Sequence, residues 1–138
     1  LAYHATGALF CGDTLFGAGC GRLFEGTPAQ MSASLDSIAK LPDDTRIYCA
    51  HEYTEANLRF ALAVEPENSA LQQRVVEVAA LRAVGLPSVP STLAEEKATN
   101  PFLRCAEPAV IDAGLQHAAV NRSKTAIFAA IRGWRNNF

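Results

Sequence analysis

Two short apolar runs and a series of longer helical periods divide the chain. Gly7-Ala8-Leu9-Phe10-Cys11 and Arg46-Ile47-Tyr48-Cys49-Ala50 are bounded by turn residues and read as buried strands. Between them Met31, Leu35 and Ile38 recur on one helical face, behind a capping box, Thr27-x-x-Gln30, with Pro28 at the first helical position. Leu1-Ala2-Tyr3-His4 reads as a strand turned at Ala5-Thr6-Gly7, so the chain begins inside a sheet, the expectation for a fragment or processed product. No strand pattern is read after His51. Thr54 is placed to cap a helix to about Val64, with Leu58, Ala61 and Leu62 inward. Ser69-x-x-Gln72 opens a second helix, with Leu71, Val75, Val78 and Leu81 inward and Gly85 as its stop. Leu86 to Ser91 is an extended connector, and Thr92-x-x-Glu95 starts a short helix ending near Asn100-Pro101. Asp112 to Ala119 forms a further helix, and Ser123 caps the last, which carries Ile127, Ile131 and Trp134. This order predicts an α/β layer over residues 1–53 and a helical part over 54–138.

Composition narrows the class. The chain has 138 residues, 49% hydrophobic and 19% charged, a globular balance. No apolar run approaches the ~20 residues that span a bilayer, so no membrane partner is expected. A net charge of -2 does not suggest nucleic-acid binding. Cysteines at 11, 20, 49 and 105 form no C-x-x-C, and this predicts a reducing, cytoplasmic compartment. The C-terminal end is locally basic: no acidic residue follows Asp112, whereas Arg122, Lys124, Arg132 and Arg135 do. Two readings of this end stay open, a solvated cationic helix terminus and an anion site.

The candidate chemistry sits at the two strand ends. Asp13 lies just past the first strand, in Gly12-Asp13-Thr14, and is either a metal ligand or a loop aspartate capping backbone N–H groups. His51 directly follows the second strand and is either an imidazole ligand or a polar strand end. Cys49, two residues before His51, makes a Cys–His pair a rival. Gly17, Gly19 and Gly21 lack phosphate-loop spacing and read as turn glycines. His4 and His117 read as structural.

Taken together, GDTLFGAGCGRLFEGT, LPDDTRIYCAHEYTEANLRFA, NPFLR and IRGWRNNF closely resemble the glyoxalase II (hydroxyacylglutathione hydrolase) family of the metallo-β-lactamase superfamily, through essentially the whole chain. The resemblance implies the second half of an αββα sandwich followed by an α-helical substrate-binding domain. It implies hydrolysis of S-D-lactoylglutathione and related thioesters to glutathione and a 2-hydroxy acid by a water that two divalent metals activate, whether zinc, iron or manganese. Asp13 matches a metal-bridging aspartate and His51 a histidine ligand. Tyr53, Arg22, Arg132 and Arg135 match positions that contact glutathione, Arg135 standing where a lysine is common. Phe24 falls where some members have a tyrosine. The family's T-H-x-H-x-D-H and G-H-T-x-G-H segments are absent, and they supply most of the metal ligands. The chain alone is therefore expected to hold no stable binuclear centre. The alternative is a non-catalytic remnant that self-associates through an exposed sheet edge or binds a partner.

Overall fold

A computed structural model describes residues 2–138; Leu1, part of the first expected strand, lies outside the described residues. Strands β1 (Tyr3–Ala5) and β2 (Ala8–Gly12) form a hairpin over Thr6 and Gly7. Both turn residues hold positive φ, 49° and 74°, the two-residue turn whose twist suits a hairpin. Within the following glycine-rich loop lie two strands too short to read from sequence, β3 (Leu15–Phe16) and β4 (Gly19–Cys20), paired as a tight hairpin. Helix α1 (Pro28–Ala39) starts on the expected capping box, with Thr27 and Gln30 each bonded to the other's backbone N–H. It returns the chain to β5 (Arg46–Cys49), parallel to β2.

The remaining chain is mainly helical: α2 (Thr54–Val64), α3 (Ser69–Ala83), α4 (Leu93–Thr99), a 3-10 turn at Pro101–Leu103, α5 (Pro108–Gln116) and α6 (Lys124–Asn136). Three local expectations are corrected. A strand does follow residue 51: β6 (Ser91–Thr92) pairs antiparallel with β5 and completes a sheet of order β1-β2-β5-β6. Thr54 does not cap α2; its hydroxyl lies against Ser88, and Tyr53 takes the cap position without a side-chain bond. Asn68, not Ser69, caps α3, because its side-chain oxygen reaches Leu71 N at 3.1 Å. No helix among the described residues is long and apolar enough to cross a membrane.

One apolar core joins the sheet to the helices. Leu9, Cys11 and Ile47 pack with Leu35 and Ile38 of α1 and with Ile127, Phe128 and Ile131 of α6. The three α6 side chains are fully buried, each worth about 1.5–3 kcal/mol. The opposite sheet face is open: Tyr3 is 65% exposed and Phe10 50%, with Phe10 stacked on Tyr48. Among the described residues the architecture is mixed α/β, with a small four-stranded sheet, the two-stranded β3–β4 hairpin and six α-helices.

Candidate functional site

Parallel pairing brings the two strand ends together. Gly12 stands opposite Cys49, and Ala50 N donates to Gly12 O at 3.0 Å, so the next residues of both strands emerge side by side. His51 Nε2 consequently lies 3.4 Å from Asp13 Oδ1. That is too long for a good hydrogen bond. Neither polar side chain is committed to another described group, and both are solvent-accessible. The imidazole is steadied from the side, stacked on Tyr53 at 4.9 Å between ring centroids, and both rings approach Phe16. An oxygen and a nitrogen donor facing one point fit two positions of a divalent cation's shell. Among the described residues no group of three or more His, Cys, Asp or Glu is placed to hold a metal. The Cys–His rival fails on geometry: the Cys49 thiol is directed at the His51 carbonyl oxygen, 3.3 Å away, and burial raises its pKa, which opposes thiolate formation.

Asp13 and His51 open onto a cleft of about 450 Å³ whose walls also carry Arg22, Tyr53, Arg132 and Arg135. All six residues singled out from the sequence therefore meet in one cavity. The two α6 arginines nevertheless differ. Arg132 is 5% exposed and faces inward: its Nη1 donates to Cys20 O at 2.7 Å, its Nη2 reaches Asn136, and its guanidinium lies over the Phe102 ring. Such an arginine holds the end of β4 rather than offering itself freely to a ligand. Arg135 is half-buried; among the described residues its guanidinium makes one long hydrogen bond, to Asn57 Oδ1 at 3.5 Å, and lies 5.9 Å from the Phe60 ring centroid. Its pKa is lowered, first by burial and then by the positive charges of Arg132, Arg22 and Arg59. None of these four arginines has an ion pair among the described residues. The cleft thus has a carboxylate–imidazole mouth and an uncompensated cationic wall.

What shapes that wall was not legible in the sequence. Gly17 lies in the two-residue turn of the β3–β4 hairpin, whereas Gly19 and Gly21 lie outside it, and none of the three holds a positive φ. They are close-approach glycines: a Cβ on them would overlap Thr54, Asn57 and the Asp13 carbonyl respectively. The residue that does take positive φ in this hairpin is Ala18, at 56°. Its N–H is held by Glu96 Oε1 at 2.8 Å, and Glu96 is fully buried. The other Glu96 oxygen accepts from Arg74 Nη2 at 2.7 Å, and Arg74 Nη1 also donates to Thr99. Asn100 Nδ2 donates to Gly19 O at 3.0 Å, while Asn57 Nδ2 donates to Gly17 O at 3.1 Å. Helices α2, α3 and α4 therefore reach across to fix the β3–β4 hairpin with charged and amide groups. Cys20 stands on the same wall; burial outweighs the opposing pull of Arg132 and lifts its thiol to about 11, so it is inert. His117, stacked on Trp134 at 3.5 Å with Nδ1 against Ala113 O, and His4, on the exposed β1, stay outside the cleft.

Residues 52–138 match the family model described as Hydroxyacylglutathione hydrolase C-terminus. The chain is 76% identical over 152 aligned residues to the hydroxyacylglutathione hydrolase of Dechloromonas aromatica, covering all of this chain and 57% of that protein. It is 59% identical over 138 residues to that of Methylobacillus flagellatus, again across the whole chain and 54% of the relative. With that of Cupriavidus taiwanensis it shares 60% identity over 131 residues, which is 95% of this chain and 49% of the relative. The chain thus spans about half the length of the curated relatives it matches. With the family model matching most of its residues and identity this high along its whole length, the chain belongs to the hydroxyacylglutathione hydrolase family.

Proposed function

We propose that this chain is the C-terminal part of an enzyme that hydrolyses 2-hydroxyacylglutathione thioesters, S-D-lactoylglutathione among them, to glutathione and a 2-hydroxy acid in the cytoplasm. The observation that carries the reading is the single cleft that unites the Asp13–His51 pair with Arg22, Tyr53 and Arg135. Glutathione carries carboxylates, and a guanidinium wall without acidic partners suits them. On this reading residues 1–53 are the second half of a metallo-β-lactamase sandwich, and residues 54–138 are its substrate-binding domain. The open face bearing Tyr3 and Phe10 is then the surface that the preceding half covers. In its absence that face and the β1 edge drive self-association of the isolated chain.

Asp13 and His51 would hold the metal end of the site. Divalent cations such as zinc, iron or manganese, when bound there, supply Lewis acidity and a water of lowered pKa. The remaining ligands lie outside this chain. Arg135 and Arg22 fix the carboxylate end of the substrate, Tyr53 and Phe16 line the path between, and Arg132 keeps the β4 end in place. The leaving group is a thiolate of solution pKa about 8.5, so no side chain need protonate it. The test uses the full-length protein: Asp13→Asn and His51→Ala should each abolish turnover of S-D-lactoylglutathione while circular dichroism stays native. Turnover within a few-fold of wild type in both would overturn the reading.

A further inference from the structure

Residues 50–53 carry two of the cleft's side chains, His51 and Tyr53, on backbone outside any helix or strand. Between them Glu52 turns away from the cleft and reaches the connector joining α3 to β6. Ser88 N donates to Glu52 Oε1 at 2.5 Å, and the Ser88 hydroxyl lies 2.6 Å from Oε2. That hydroxyl also lies 2.7 Å from Thr54 Oγ1. A serine has one hydroxyl proton. With that proton given to the carboxylate, Thr54 must donate to Ser88, making a directed chain Thr54→Ser88→Glu52. Thr54 in turn fills the space that a Cβ on Gly17 would need, so the chain ends against the β3–β4 hairpin. Arg82 borders the arrangement, 4.0 Å from Glu52 and bonded to Leu86 O at 3.1 Å.

We propose that Glu52 is a positioning residue: through Ser88 its carboxylate latches the His51–Tyr53 rim to the α3–β6 connector and so sets the placement of both rings in the cleft. Its bearing on turnover rests on the thioesterase reading above, but the latch itself does not. A connector between α3 and β6 then governs the rim of a site whose other groups come from the end of β2, from the stretch after β4 and from α6. Neither His51 nor Tyr53 gains a contact from Ser88; the effect passes through the backbone of Glu52.

The test takes the full-length protein with Ser88→Ala and Ser88→Thr. Ring resonances of His51 and Tyr53 are assigned by His51→Gln and Tyr53→Phe. Loss of the hydroxyl in Ser88→Ala should move both resonances and lower kcat/KM for S-D-lactoylglutathione roughly three- to tenfold, the scale of one ordinary hydrogen bond, because the effect reaches the rings only through the backbone. Ser88→Thr keeps a hydroxyl and should restore both readouts. The isosteric Glu52→Gln should move the resonances in the same direction as Ser88→Ala. Unmoved resonances in Ser88→Ala and Glu52→Gln, or Ser88→Thr behaving as Ser88→Ala does, would overturn the latch. Moved resonances with unchanged kcat/KM would overturn its role in turnover. A wild type without thioesterase activity would overturn the thioesterase reading instead and leave the latch to be judged on the resonances.

Discussion

The two walls of the cleft are held by the same kind of group in opposite surroundings. On the hairpin wall a helical carboxylate, Glu96, reaches inward and is fully buried between Ala18 N, Arg74 and Asn100. On the rim a loop carboxylate, Glu52, reaches outward to Ser88 and Arg82 with 26% of its side chain exposed. Charges out of water interact strongly, and leaving one unpaired is costly; charges at the surface are screened and contribute little. The hairpin wall should therefore behave as part of the fold. The rim should behave as an adjustable part of the site.

The sharpest way to break that contrast is at Glu96. Glu96→Ala leaves the buried Arg74 guanidinium without its 2.7 Å partner, with only the partly exposed Glu95 carboxylate 3.5 Å away, and removes the acceptor that holds Ala18 at positive φ. The expected loss is about 3–5 kcal/mol in urea unfolding. Replacing the pair together, Glu96→Leu with Arg74→Met, should recover much of it, because no charge is then stranded. A loss below about 1 kcal/mol for Glu96→Ala would mean that the wall does not depend on this network.

The second test separates two arginines one helical turn apart. Arg132→Ala removes the donor to Cys20 O and should cost about 1.5–3 kcal/mol of stability. Arg135→Ala removes a group whose described contacts are one long hydrogen bond and the Phe60 ring 5.9 Å away, and stability should change by under about 0.5 kcal/mol. Its effect should fall on substrate instead: KM for glutathione thioesters up roughly tenfold or more with kcat nearly unchanged, and no effect on a thioester lacking glutathione. Equal stability losses in the two variants would erase the distinction between a wall residue and a binding residue.

What the sequence made legible follows from how far each interaction reaches. The Thr27–Gln30 box and the Ser123 cap were readable because both partners lie within one turn. Parallel strand ends follow from a strand–helix–strand order, and with them the meeting of Asp13 and His51. The β6 strand was not readable: two residues carry no period, and only partners far back in the chain, Arg46↔Thr92 and Ile47↔Ser91, make them a strand. Arg74, Glu96 and Asn100 resemble ordinary polar residues on helix surfaces, and only their burial gives them meaning. The i, i+3 spacing of Arg132 and Arg135 suggested one shared face. It could not show that Cys20 O claims the first and leaves the second to the cleft.

The smallest effect, and the one that isolates the rim, is its response to acid. Burial pushes the Glu52 carboxyl up, but the hydrogen bonds from Ser88 and the charge of Arg82 outweigh it and hold its pKa below the ordinary 4.5. A carboxylate lowered in the folded state stabilises that state fully above its unfolded value and loses the contribution as pH falls through the folded one. Glu52 shares its surroundings with Arg82 of α3, with Glu55 of α2, which also approaches Arg82, and with the hydroxyls of Ser88 and Thr54. Acid unfolding of the wild type alone sums over every carboxylate of the molecule, the ion-paired Glu65 and Asp43 included, and so would not single out Glu52. The difference between wild type and Glu52→Gln cancels them. That difference should be flat from neutral pH down to about 5, stay under about 1 kcal/mol because the group is partly exposed, and close as pH falls further and the wild type comes to resemble the amide. A difference that persists unchanged to pH ~3 would show that the shape of the side chain, and not its charge, carries the latch.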